Sequence, residues 1–125
     1  MLTLVDTSVW IDYFRDGTGA EIVDFLIEEN LVVVNDIILA ELIPFLKIRK
    51  QTKIVDLLFC IAQIPLAIDW PQIISFQYTC LKNGINGVGI PDLLIAQNAK
   101  QNHISIHSLD GHFRLMENIL GFETL

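Results

Sequence analysis

The sequence predicts an α/β domain in three layers: a short parallel sheet of four to five strands flanked by helices on both faces. Three observations carry this. Short apolar runs alternate with stretches of helical spacing along the chain. The short runs are apolar at consecutive positions, as strands buried on both faces are. No linker, repeat or low-complexity segment interrupts the 125 residues, so 1–125 read as one domain around one core.

The elements follow in order. Residues 2–5 are a buried strand. From Ser8 to Phe14, Val9, Trp10, Tyr13 and Phe14 share a helical face, with Asp12 and then Arg15 opposite. "DGTG" at 16–19 is a turn. Residues 20–30 form an amphipathic helix with Ile22, Val23, Phe25, Leu26 and Ile27 inward, and "LVVV" at 31–34 is a second buried strand. "DIILAELIPFL" at 36–46 is helical, with Pro44 as a kink or a break. Residues 53–64 form another helix and 66–68 a short strand. The helix over 70–84 has Pro71 near its first turn and ends on Gly84. A glycine-rich loop at 85–89 leads to a helix over 90–102 with Pro91 in its first turn. "ISIHS" at 104–108 is a strand, 110–121 a last helix ending on Gly121, and 122–125 an edge strand.

Composition narrows the function. An apolar fraction of 52% exceeds what one small core needs, which points to a second apolar surface for a dimer or partner. The longest central apolar run, 57–68, is bounded by Asp56 and Asp69 and is far short of the roughly 20 residues of a membrane span. The N-terminus lacks the basic segment of a signal peptide. Cys60 and Cys80 sit in helical apolar patterns and read as buried hydrophobes. A cytoplasmic protein is expected. The net charge of −7 argues against a general nucleic-acid binder. Yet Lys47, Arg49, Lys50 and Lys53 gather in "KIRKQTK", which is either a solvated face or an edge that contacts phosphates.

In an open parallel sheet, ligands bind outside the carboxyl ends of the strands. Asp6 follows the first strand and Asp110 the "ISIHS" strand. Asp92 opens the helix after the glycine-rich loop, and Glu41 lies in the helix after the second strand. All can converge at that edge. Each aspartate could instead cap a helix or complement its dipole. Glu41 is harder to explain so: it is the only charge in "IILAELIPFL", a stretch that reads as buried, and no Lys or Arg is well spaced to pair with it. Carboxylates packed together repel, so such a cluster takes up a proton or a cation. Hard oxygen ligands suit Mg²⁺ or Mn²⁺, whose usual chemistry is on phosphodiesters.

Other signals are weaker. His103 and His107 would share a strand face, but no cysteine is near enough to complete a zinc site with them. "GINGVGI" has the wrong glycine spacing for a dinucleotide fingerprint, and no nucleophile motif is present.

Taken together, "LVDTSVWIDYF", "ILAEL", "IPDLLIAQNA" and "SLDGHF" resemble the PIN-domain ribonucleases, specifically the VapC-type toxins of toxin–antitoxin pairs. The resemblance implies a three-layer PIN-like fold and a Mg²⁺- or Mn²⁺-dependent endoribonuclease that leaves a 5′-phosphate and a 3′-hydroxyl. It implies that Asp6, Glu41, Asp92 and Asp110 hold metal and water, with Ser8 and Ser108 supporting them by hydrogen bonds. It further implies an RNA substrate, a homodimer and an antitoxin partner that fills the active-site groove. Arg15 joins Lys47, Arg49, Lys50 and Lys53 as candidate RNA contacts. His112 stands where relatives often carry a second aspartate. A PIN-like nuclease of RNA processing without an antitoxin keeps the fold and changes the biology. An aspartyl-phosphate phosphoryl-transfer domain would want a second aspartate where Ser8 stands.

Overall fold

Three consecutive valines, Val32 to Val34, make up one strand, and every residue of the three inner strands is buried. Branched side chains covered on both faces are what a parallel sheet between helices requires. The computed structural model describes all of residues 1–125. In chain order the elements are β1 (Thr3–Val5), α1 (Thr7–Phe14), α2 (Ala20–Glu28), β2 (Val32–Val34), α3 (Asp36–Ile48), α4 (Thr52–Phe59), β3 (Ala62–Gln63), α5 (Trp70–Lys82), α6 (Ile90–Asn102), β4 (Ser105–His107), α7 (Gly111–Leu120) and β5 (Glu123–Thr124). The five strands are all parallel, in the order β3-β2-β1-β4-β5. The α/β class and the parallel sheet are as expected. No helix is long and apolar enough to cross a membrane.

Register places the site. Leu4 pairs with Val33 and Ile106, and Val5 with His107. The residues that leave these strands, Asp6, Asn35 and Ser108, therefore emerge side by side at one edge. The Asp6 N–H donates to the His107 carbonyl at 2.9 Å, which fixes Asp6 beside β4.

Some local expectations fail for visible reasons. Pro44 does not break its helix; α3 runs unbroken to Ile48. Pro44 and Ala40, whose carbonyl loses its helical partner, both face solvent, so water can satisfy that carbonyl. Residues 66–68 are not a strand. The edge strand is instead Ala62–Gln63, taken from the end of the helix expected over 53–64, which stops at Phe59. In α2 only Val23 and Leu26 are buried, while Ile22, Phe25 and Ile27 stay exposed. Cys80 is buried as expected, but Cys60 is exposed, because it caps the end of α4. His103 lies outside β4, ending α6 in a left-handed conformation, so it shares no strand face with His107.

A buried polar pair joins two of the helices that leave this edge. Asn35 caps α3 by accepting from the Ile38 N–H, and its amide donates to the Asn98 side chain on α6 at 3.0 Å. Asn98 donates in turn to the Pro65 carbonyl at 3.0 Å. Both asparagines are essentially inaccessible, at 0% and 1% exposure, so their bonds carry the positions of α3 and α6 relative to each other.

Candidate active site

Asp6 occupies the capping position of α1, but its side chain bonds to no helix amide. Its Oδ2 instead accepts from Ser108 Oγ at 2.8 Å and Ser8 Oγ at 3.0 Å. The two hydroxyls are themselves held from the other side. Leu109 N–H donates to Ser8 and Asp110 N–H to Ser108. Asp6 is 7% exposed and is thereby fixed with Oδ2 occupied and Oδ1 free of any donor from the chain.

The other three acids face it. Glu41 projects from the second turn of α3, and its Oε1 accepts from Thr7 Oγ1 at 3.4 Å. The sequence suggests a buried glutamate; the structure shows an exposed one. The helix is apolar only on one side, and Asp36, Ala40, Glu41 and Pro44 form its open face. Glu41 is accessible but crowded: its pKa is raised by loss of surrounding water and then by the charge of Asp6, against the pull of the Thr7 hydroxyl. Asp92, in the first turn of α6, is pushed up to about 6, first by partial burial, then by Asp110, Asp6 and Glu41, with His112 acting the other way. Asp110 caps α7, accepting from the His112 N–H at 3.0 Å. The His112 ring lies beside it, Nδ1 3.2 Å from Asp110 Oδ1. Donor atoms of Asp92, Asp110 and His112 fall within 4.8 Å of one another.

That His112–Asp110 contact is the only acid–base pair within 4.0 Å in the chain. No lysine or arginine neutralises the cluster. The structure thus brings Asp6, Glu41, Asp92 and Asp110 to one place, with Ser8 and Ser108 beneath Asp6. Arg15, Lys47, Arg49, Lys50 and Lys53 are exposed and lie outside it, toward the far ends of α1 and α3. Sequence reasoning missed the Thr7–Glu41 bond. Nothing local links Thr7 to a residue 34 positions on.

Partial burial of Asp92, reinforced by the like charges, has a measurable consequence. An aspartate in an unfolded chain titrates near about 3.9. Because Asp92 is raised to about 6 in the fold, the folded state holds that proton more tightly. Stability without metal is therefore expected to fall as pH rises through the window from about 4 to about 6, and to recover as pH falls back. After allowance for solvent screening the effect is about 1–2 kcal/mol. Urea unfolding in EDTA at pH 5 and pH 7 checks it; equal stability, or more at pH 7, contradicts it. Asp92→Asn should remove most of the difference.

A PIN domain model matches residues 3–118. The chain belongs to the PIN domain family. Solved structures share its fold over almost their whole length. A chain of VapBC2 from Rickettsia felis, bound to a DNA fragment from its promoter, has a TM-score of 0.75 at 17% identity, over 100% of this chain and 98% of that one. DNA-bound VapBC from Salmonella typhimurium gives the same values. FitAcB from Neisseria gonorrhoeae has a TM-score of 0.68 at 19% identity, over 99% and 96%. No curated protein matches the sequence.

The donor set fits a hard divalent cation. Its compact part is the carboxylates of Asp92 and Asp110 with the His112 imidazole; Asp6 Oδ1 is unengaged nearby, and no lysine or arginine pairs with any of them. A groove of about 200 Å³ lies elsewhere, among Trp10, Tyr13, Phe14, Ile27, Leu57 and Ile61, and contains none of the acids. It is apolar and open, and has no part in the chemistry of the cluster.

Proposed function

We propose that this PIN domain is a Mg²⁺- or Mn²⁺-dependent endoribonuclease and the toxin component of a toxin–antitoxin pair, acting as one domain over residues 1–125. The convergence of Asp6, Glu41, Asp92 and Asp110 without a neutralising lysine or arginine supports this most. Asp6, Asp92 and Asp110 would hold the cation, with Glu41 at the rim. When bound, the cation supplies an activated water and neutralises charge on the scissile phosphate. Ser8 and Ser108 keep Asp6 Oδ1 turned outward by occupying Oδ2. Glu41, made more basic by its neighbours and held at Oε1 by Thr7, is suited to take the proton of the incoming water at Oε2. The products would be a 5′-phosphate and a 3′-hydroxyl, with no covalent intermediate on the chain.

The fold similarity to chains of VapBC complexes supports an antitoxin partner. The apolar groove beside Trp10 and Leu57 is its proposed seat. Ile74, Tyr78 and Leu81 form an exposed apolar stripe on α5 at helical spacing, which suits a homodimer. Action in the cytoplasm follows from an RNA substrate. Sequencing of 5′-phosphorylated RNA ends after induced expression tests the reading. New ends should accumulate with the unsubstituted chain and vanish with Asp6→Asn. Identical end profiles for both would overturn it.

A further inference from the structure

Arg15 and Arg49 flank one aromatic ring. The Arg49 guanidinium carbon lies 4.1 Å from the centre of the Phe45 ring, and that of Arg15 lies 6.0 Å away. The placement follows from the helices. Glu41, Phe45 and Arg49 recur every four residues along one face of α3, so Arg49 stands about 12 Å beyond Glu41. Arg15 ends α1, eight residues after the Thr7 that bonds Glu41, and α1 packs against α3. Two adjacent helices thus both begin at the carboxylate cluster, and both bring an arginine to the same ring two turns on.

Charge singles out this end of the molecule. Lys47, Lys50 and Lys53 lie on the same stretch of chain, and all are exposed. Five of the chain's eight lysines and arginines thus gather here, although the chain carries a net charge of −7. Cations clustered on an acidic protein make a local field that attracts an anionic partner.

We infer that Arg15, Phe45 and Arg49 form a subsite for single-stranded RNA, which grips the strand a few nucleotides from the scissile phosphate. The inference rests on the nuclease reading above and adds where the strand runs: from the carboxylates along the junction of α1 and α3. Arginine planes and an aromatic face stack on bases of any sequence, and the guanidinium edges bond phosphate oxygens. An acidic peptide would use the charges but gain little from the ring.

Binding of a short fluorescent single-stranded RNA to the full chain carrying Asp92→Asn tests this without cleavage. Adding Arg15→Gln and Arg49→Gln should weaken binding about tenfold, with the slope of log K against log salt falling by about 1.4, as for two lost phosphate contacts. Phe45→Leu should weaken binding about five- to tenfold and leave the slope unchanged. Lys82→Gln, on α5, should change neither. Thermal melts verify that the variants are folded, and both arginines are exposed. Unchanged affinity and slope in the double arginine variant overturn the inference, as does arginine-dependent binding of a polyglutamate peptide with no binding of RNA. Cleavage of the same RNA by the unsubstituted chain with Mg²⁺ separates the two readings. Cleavage with arginine-independent binding defeats only the subsite, and arginine-dependent binding without cleavage defeats only the nuclease.

Discussion

Asp6→Asn is expected to lower Mg²⁺-dependent RNA cleavage by on the order of 10³-fold or more, with the fold intact. Asp6 is the best-held of the four acids: two serine hydroxyls occupy one oxygen and leave the other free. An asparagine of the same shape keeps half of the geometry and loses the charge. If its amide nitrogen turned toward the serines, the hydroxyls could rotate to accept from it. Structural damage should therefore be small and the loss should fall on chemistry. Glu41→Gln, Asp92→Asn and Asp110→Asn should act in the same direction, and EDTA should silence the unsubstituted chain. The variants and EDTA together should be no worse than either alone, since they remove one shared function. Retained cleavage by Asp6→Asn, or by the unsubstituted chain in excess EDTA, contradicts the metal mechanism.

The second large effect lies away from the acids. Asn98→Leu should destabilise the protein by about 3 kcal/mol, seen as a lower urea midpoint with an unchanged slope. It leaves the Asn35 amide buried without a partner, which costs about 1–3 kcal/mol, and removes the donor to the carbonyl of Pro65, an exposed residue that water can serve. Asn35→Leu should cost a similar amount, because it also strips the cap from α3. The double variant should cost much less than the sum, since each single change leaves the other residue unsatisfied. Additive losses would mean that the two asparagines act separately. Because Asn98 sits on the helix that carries Asp92 and Asn35 starts the helix that carries Glu41, cleavage should fall along with stability.

The fold was readable where side chains announce their surroundings. Val32 to Val34 could only be a strand covered on both faces, and Pro91 and Gly121 mark helix ends where helix ends occur. Ala62 and Gln63 were not readable. They are exposed edge residues held by backbone pairing to β2, and backbone pairing leaves no mark on side-chain pattern. Glu41 was picked out for the wrong reason. Its neighbours suggested burial, whereas it is an exposed rim residue whose perturbation comes partly from Asp6, distant in sequence. The aspartates at strand and helix ends could be found as candidates, since loops at that edge meet in any parallel sheet. Local sequence could not say that Asp6 ignores its helix and bonds to Ser108 instead. The polar link of Asn35 to Asn98 was equally hidden, spanning 63 positions.

The central place of β1 also bears on when the protein can become active during its own synthesis. β1 is made well before β4, yet β4 is one of its two neighbours, and Ser8 reaches Ser108 across 100 positions. Asp6 without β4 has neither the backbone bond to His107 nor the Ser108 hydroxyl, and Asp92 and Asp110 are still to come. Closing so long a loop comes late in folding. A chain still being translated therefore has no assembled cluster until Ser108 and Asp110 have emerged, about a hundred residues after Asp6.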